Sequence, residues 1–282
     1  MQICQRVTDL RRHLHDARVA DKRIAFVPTM GNLHEGHLQL IRLARQHADV
    51  VVASIFVNPL QFGLNEDWEQ YPRTLERDSA MLASEGCDLL FCPTEHDMYP
   101  NGMETQTKVE VPTMTNILCG ASRPGHFLGV TTVVAKLFNM VQPDTAVFGI
   151  KDYQQLAVIR RMTEDLCIPI QIIAAPIARA DDGLALSSRN GYLTQEERPR
   201  AVALYRALCQ ARAALVDGRR DYASIEKEAL DALDAARMRP DYFSIRHART
   251  LETASAGDTD LVLLGAVYLG KTRLIDNVTV QI

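Results

Sequence analysis

The sequence predicts an α/β chain in which a doubly wound parallel sheet is followed by a second, smaller α+β domain at the C-terminal end. Three observations carry that expectation. Short apolar runs alternate with amphipathic stretches through the first 176 residues. Each run is bounded by Gly, Pro, Asn or Asp. Beyond residue 177 the alternation gives way to two helical patterns and then three strand-like runs. Alternation with crossover spacing implies right-handed βαβ units and a parallel sheet, whereas helices followed by neighbouring strands make an α+β arrangement. The expected domains are therefore 1–176 and 177–282.

Taken in order, Ile24 to Pro28, Val50 to Val57, Leu89 to Cys92, Ala146 to Phe148 and Ile170 to Ala174 are the predicted strands. They are apolar nearly throughout, as parallel strands buried on both faces must be. The helical stretches between them are His37 to His47, Thr74 to Ser84, Thr131 to Met140 and Asp152 to Asp165. Thr74 is expected as an N-cap and Gly86 as the left-handed residue that closes its helix. The second domain should hold helices over Thr194 to Val216, stopped by Asp217-Gly218, and over Tyr222 to Ala236. Its strands should be Tyr242 to Ile245, Leu261 to Tyr268 and Thr272 to Gln281. Parallel sheets bind ligands at the carboxyl ends of their strands, so chemistry is expected in the segments that leave them.

Composition narrows the function class. At 282 residues, 47% hydrophobic and 23% charged, the chain can bury a sizeable core. Its 31 basic and 35 acidic residues leave a net charge of −4, which argues against a basic nucleic-acid face or a polybasic membrane anchor. No apolar run reaches the roughly 18 residues of a membrane span. The first fifteen residues carry Arg6, Asp9, Arg11 and Arg12 and no signal-peptide core. The six cysteines (Cys4, Cys87, Cys92, Cys119, Cys167 and Cys209) are dispersed and form no C-x-x-C pair, unlike a disulfide framework. A cytoplasmic chain without nucleic-acid or membrane partners is expected.

The most informative stretch runs Val27-Pro28-Thr29-Met30-Gly31-Asn32-Leu33-His34-Glu35-Gly36-His37. It leaves the first predicted strand, turns through Gly31 and enters a helix near Gly36. Two histidines three apart at a helix N-terminus share a face. With the positive end of the helix dipole and the exposed amides there, they favour a polyphosphate. A zinc protease site needs histidines four apart in His-Glu-x-x-His, so the metal-hydrolase reading is weak.

The segment resembles the HIGH motif of the nucleotidylyl transferase superfamily, in the wording of its pantoate–β-alanine ligase family. Further segments agree in order. They are Ser54-Ile55-Phe56-Val57-Asn58-Pro59-Leu60-Gln61-Phe62-Gly63, Tyr71-Pro72-Arg73-Thr74 with Asp78, and Arg123-Pro124-Gly125-His126-Phe127. Phe148-Gly149-Ile150-Lys151-Asp152-Tyr153-Gln154-Gln155, Leu186-Ser187-Ser188-Arg189-Asn190 and Arg273-Leu274-Ile275-Asp276-Asn277 follow. The resemblance implies a Rossmann-like fold with a C-terminal lid domain, and a two-step ligation. Pantoate's carboxylate would attack the α-phosphate of ATP, giving pantoyl adenylate and pyrophosphate, and β-alanine would then displace AMP. Such catalysis is mainly positioning and charge stabilisation.

By the same resemblance His34, His37, Lys151 and Arg189 are the expected catalytic residues. The ATP site would comprise Met30, Gly31, His34, His37, Gly149, Ile150, Lys151, Asp152, Ala178, Leu186, Ser187, Ser188 and Arg189. Lys151 brings a point charge for phosphate, and Asp152 is the candidate ligand of Mg²⁺. Ser187, Ser188 and Arg189 resemble the counterpart of the KMSKS loop, donors to phosphate oxygens. Asn58, Gln61 and Gln155 would bind pantoate, since neutral amides can donate and accept at once. Gln61 also borders the expected β-alanine site. Phe62 with Val133 or Val134 would wall the gem-dimethyl group, while His126 reads as a helix-start residue beside Arg123. A homodimer is implied by the family.

Two departures stand out. Ile150 replaces the family's usual Glu, and Leu128 stands where many members carry Arg. Competing readings are a transferase that leaves AMP on its product, a tRNA-synthetase relative and a non-catalytic nucleotide-binding module. The first lacks the second domain and the Asn58/Gln61 segment. The second needs a basic RNA face. The third predicts damage to the His34/His37/Lys151 set, which is intact.

Overall fold

The computed structural model describes residues 1–63 and 68–282. They form two units, Met1–Ile150 with Val158–Pro176, and Lys151–Ala157 with Ile177–Ile282. In the first, six parallel strands make one sheet: β1 (Gln2–Cys4), β2 (Ile24–Thr29), β3 (Val50–Ile55), β4 (Leu89–Phe91), β5 (Thr145–Gly149) and β6 (Gln171–Ala175). Their order is β1-β4-β3-β2-β5-β6. The winding reverses between β2 and β5, and in such sheets that switch point is where ligands bind. This is the Rossmann-like architecture the alternation predicts.

Four of the five predicted strands of this sheet recur within one residue at each end, and β3 stops two residues early, at Ile55. In β2, Ile24, Ala25, Phe26 and Val27 are all buried, so the strand reads as one apolar run. On one face Ala25 and Val27 pack with Ile41 and Ala44 of α2 (Glu35–His47) and Leu82 of α3 (Leu75–Ser84). Phe26 meets Phe138 of α7 (His126–Val141) edge-on at 6.5 Å. Pro28 explains a local opening. It has no N–H to give a neighbour, and the β2–β5 ladder ends at Phe26–Ala146, whereas β2–β3 continues to Thr29–Ile55.

Several elements depart from the sequence expectation. Strand β1 and helix α1 (Val7–Val19) lie in a stretch read only for targeting signals. Three residues are too few for a periodicity, and α1 buries only Leu10 and Leu14. Helix α7 begins five residues before Thr131, directly after the left-handed Gly125. Thr74 stands at the N-cap of α3 but makes no side-chain cap; its hydroxyl goes to Asp78 instead. Gly86 does close α3, at φ +73°, with Gly86 N–H to Ala83 O and Cys87 N–H to Leu82 O. Three short helices complete this unit: α4 (Glu95–Met98), α5 (Pro112–Thr115) and α6 (Cys119–Ser122). Helix α8 (Tyr153–Asp165) follows β5 and a 3-10 turn, Ile150–Asp152.

The second unit packs α9 (Ala203–Val216) and α10 (Tyr222–Ala235) on an antiparallel sheet of β7 (Arg239–His247), β8 (Asp260–Leu269) and β9 (Thr272–Gln281), in that order. Leu204, Leu208, Leu215, Ile225, Leu233, Leu263 and Val267 form its core. The predicted helix over Thr194 to Val216 is corrected to Ala203–Val216. Thr194 and Glu197 make a reciprocal capping turn, but Pro199 has no N–H with which to continue it.

Candidate active site

The loop that leaves β2 is shaped by a buried carboxylate. Thr29 Oγ1 donates to Ser54 O (2.7 Å) and accepts from Gly31 N–H (3.2 Å). The chain then turns through two positive-φ residues, Gly31 (+81°) and Asn32 (+50°). A Cβ on Gly31 would be strained by that φ and would lie 3.1 Å from both Asp78 Oδ2 and Ile55 Cγ2. Asp78, fully buried on α3, accepts from Asn32 N–H (2.7 Å) and Thr74 Oγ1 (3.0 Å) at Oδ2 and from Leu33 N–H (2.9 Å) at Oδ1. An ionised carboxylate is acceptor-only, which suits two amides and a hydroxyl. Arg77 Nη2 holds the same loop from the other side, donating to Leu33 O at 3.0 Å.

His34 and His37 then cap α2. His34 Nδ1 accepts from Gly36 N–H (3.1 Å) and His37 Nδ1 from His34 N–H (3.3 Å). The rings lie 4.2 Å apart, centroid to centroid. This is a capping box built from histidines rather than Ser and Glu. A ring nitrogen that accepts an amide proton carries none of its own, so both neutral imidazoles hold their proton on Nε2. Each ring thus carries its one N–H on Nε2 at the positive end of the helix, a setting that favours anionic oxygens, while the His34 and Gly36 amides are spent in the cap.

The segment after β3 forms a second platform. Asn58, 1% exposed, caps a 3-10 turn, Pro59–Gln61. Its Nδ2 donates to Gly129 O (3.1 Å) and Gln61 Oε1 (3.3 Å), and its Oδ1 accepts from Tyr99 O–H (2.6 Å) and Leu60 N–H (3.3 Å). Burial raises the Tyr99 pKa, keeping the phenol a donor. Lys136 Nζ lies 5.2 Å from the centre of that ring, and its pKa is lowered by burial. Gln61 Nε2 reaches Met30 Sδ at 2.7 Å, which ties the platform to the loop after β2. From α7, His126 Nδ1 donates to Gln61 O (2.7 Å), because the Arg123 guanidinium, always a donor, occupies His126 Nε2 at 3.1 Å.

Helix α7 approaches this turn so closely that Gly129 admits no side chain. A Cβ there would lie 2.3 Å from Leu60 O and 2.6 Å from Gln61 N, both backbone atoms that cannot rotate aside. Gly129→Ala is expected to cost about 1–3 kcal/mol of stability through overpacking. Thermal melting checks this, and an unchanged melting point would show that the turn yields freely.

In the second unit Lys151, half-buried, and exposed Asp152 lie in the 3-10 turn before α8, with Gln155 half-buried in the first turn of that helix. Ala178 and Leu186 face each other across a hairpin, Leu186 N–H donating to Ala178 O at 2.9 Å. The hairpin ends at Ser187, whose Oγ caps the 3-10 turn Ser188–Tyr192 by accepting from Arg189 N–H at 3.2 Å. Asn190 Nδ2 fastens the turn to Ala185 O.

The structure therefore gathers Met30, Gly31, His34, His37, Asn58 and Gln61 on segments leaving adjacent strands, while Gly149 ends β5 and Ile150 opens the 3-10 turn after it. Within the second unit it places Lys151, Asp152 and Gln155 on one segment and Ala178, Leu186, Ser187, Ser188 and Arg189 on another. Asp78, Tyr99 and Gly129 were given no role by sequence reasoning. Their bonds to Asn32, Leu33 and Asn58 span 41 to 71 positions, where no local pattern reaches. Phe62 packs edge-on against Tyr71 at 5.8 Å, and Val133 and Val134 are buried in α7. Burial pushes the Cys87 thiol up to about 12 and Cys92 up to about 11, so neither is a nucleophile at neutral pH.

Comparison with known proteins agrees along the whole chain. Residues 2–279 match the family model described as pantoate-beta-alanine ligase. A pantothenate synthetase from Saccharophagus degradans is 59% identical over 282 residues, covering 100% of this chain and 99% of its own length. One from Pseudomonas putida is 60% identical, covering 100% and 98%. Among solved structures, pantothenate synthetase from Thermus thermophilus superposes with a TM-score of 0.91 at 47% identity, covering 99% of both chains. A pantoate-beta-alanine ligase from Francisella tularensis, complexed with beta-gamma ATP and beta-alanine, gives 0.79 at 36%, covering 99% and 97%. Full-length identity at this level, together with a capped histidine pair after the strand beside the topological switch, places the chain in the pantoate–β-alanine ligase family.

Proposed function

We propose how this chain's residues divide the work of its family's reaction. The chain is an AMP-forming pantoate–β-alanine ligase of pantothenate biosynthesis. It condenses (R)-pantoate with β-alanine at the expense of ATP, through pantoyl adenylate, and releases pyrophosphate and AMP. A carboxylate is a poor acyl donor, and adenylation supplies it with a stable leaving group.

The observation that carries the assignment is the histidine capping box at the start of α2. His34 and His37 aim Nε2–H donors at the phosphates, whose charge grows as the pantoate oxygen attacks. Met30 and Gly31 offer backbone to the nucleotide, and Gly149, Ile150, Ala178 and Leu186 line it. Lys151 and Arg189 supply cationic stabilisation, with Ser187 and Ser188 as hydroxyl donors. ATP arrives as its Mg²⁺ complex. The described residues hold no cluster of three or more His, Cys, Asp or Glu that would cage an ion by themselves. This fits an ion carried by the triphosphate and touched by one carboxylate, Asp152. When bound, the ion neutralises phosphate charge.

Gln61 and Gln155 bind pantoate, and Gln61 borders the β-alanine position. Asn58 receives a different role from the one its sequence suggested. Its amide hydrogens and its carbonyl are taken by protein partners, so it holds Gln61 in place. Gln61→Ala is expected to raise the pantoate KM about tenfold or more while leaving that of ATP within about twofold. Equal losses for both substrates would remove Gln61 from the pantoate site.

In this reading residues 1–176 are the nucleotide and pantoate domain and 177–282 the lid. The enzyme is a homodimer in solution, a state that light scattering reads directly. No helix among the described residues is long and apolar enough to cross a membrane, which supports a cytoplasmic enzyme. The reaction itself is tested by supplying ATP, Mg²⁺ and pantoate, then β-alanine. Pyrophosphate before β-alanine and AMP after it are expected. Silence in both steps with ATP still bound would favour a binding module and point to Ile150.

A further inference from the structure

The pentapeptide Arg273-Leu274-Ile275-Asp276-Asn277 has no part in the reading above, yet Asp276 and Asn277 are only 5% and 2% exposed. Successive residues of a strand point to opposite faces. On β9, Asp276 shares its face with the core residues Leu274, Val278 and Val280, and Asn277 lies on the other. Each neighbour of the pair therefore serves a different segment.

On the core face, Asp276 binds the Arg179 guanidinium through two bonds, 2.6 Å to Nη1 and 2.8 Å to Nη2. Arg179 Nη1 also donates to Gly183 O at 3.0 Å, and its guanidinium lies 3.8 Å from the ring centre of Tyr205 on α9. Arg179 bridges Ala185 across the hairpin, whose outgoing arm runs into Ser187. On the other face, Asn277 Nδ2 donates to Lys151 O at 2.9 Å. One dipeptide thus grips both the root of the lysine and the hairpin that leads to Ser187, Ser188 and Arg189. A planar guanidinium held at both nitrogens and stacked on a ring has little freedom left.

We infer that Asp276 and Asn277 are positioning residues that register Lys151 and the Ser187–Arg189 turn against each other within the second unit. The inference rests on the reading of those groups as phosphate donors. A lysine on a four-carbon stem reaches many places, and fixing its backbone selects among them. Misplacing a charged group by about an ångström can cost about a hundredfold in rate.

Double-mutant cycles test it, read as single-turnover pyrophosphate release with ATP, Mg²⁺ and pantoate. Lys151→Ala is expected to slow release about 10²–10³-fold, and Asn277→Ala about tenfold. The double variant should be within about twofold of Lys151→Ala, since an anchor acting through Lys151 then has nothing to place. A merely structural residue would multiply its loss, and a double variant slower by the full Asn277→Ala factor overturns the inference. The second cycle pairs Arg179→Lys, which keeps the charge and loses the fork, with Arg189→Ala. It reads the hairpin arm even if Asn277→Ala does not fold, and multiplied losses there would overturn that arm equally. Wild-type release by Lys151→Ala would instead remove the phosphate-binding role of Lys151, and the anchor with it.

Discussion

His37→Ala should lower the rate of pyrophosphate release about 10²–10³-fold, the usual cost of removing one aimed donor from a developing oxyanion. The side chain does two things, and the prediction separates them. Its Nδ1 accepts from His34 N–H, completing the cap of α2, while its Nε2–H remains the donor. Loss of the cap costs about 1 kcal/mol of stability and no chemistry. His37→Gln keeps an acceptor at the third helical position, as in an ordinary capping box, but not the imidazole N–H. It should restore the melting point of the alanine variant and leave the rate low. Near-wild-type pyrophosphate release by His37→Ala would end the assignment.

The second large effect is expected at a residue that touches no substrate. Asp78→Asn is nearly isosteric, but one of its two polar atoms becomes a donor. Oδ1 faces Leu33 N–H and Oδ2 faces Asn32 N–H, so either orientation of the amide sets N–H against N–H. A buried backbone donor left unmade costs about 1–3 kcal/mol. The loop that it shapes ends at His34, and loosened positioning there should slow adenylation about a hundredfold. Asp78→Glu should not rescue, because a longer side chain displaces a carboxylate so close to the loop that even a Cβ on Gly31 would lie 3.1 Å from Oδ2. Melting curves and single-turnover rates measured well below the melting midpoint check this. Wild-type adenylation in a destabilised Asp78→Asn would show that the loop keeps its shape unaided.

How much of this was readable beforehand follows from the range of the forces involved. The central strands show because burial on both faces leaves runs such as Ile24 to Val27 no polar residue. Gly86 and Asp217-Gly218 were legible because helix stops are local backbone chemistry. Strand β1 was too short to show a period, and α1 too polar, with two buried leucines in thirteen residues. The start of α9 was misplaced because a capping turn at Thr194 imitates a helix start until Pro199 interrupts it.

The site divides along the same line. Side-chain chemistry and strand-to-helix spacing named the histidine pair, and the resemblance to a known family named the lysine after β5 and the amides after β3. These depend on residue type and neighbours in sequence, which the chain carries in one dimension. The proton positions on His34 and His37, the holding of Gln61 by His126 and by an Asn58 that Tyr99 fixes, and the shaping of the loop by Asp78 emerged only when distant segments met. Hydrogen bonds are directional and depend on tenths of an ångström. They are set by which backbone atoms the packed elements bring into reach, and no order of residues states that by itself.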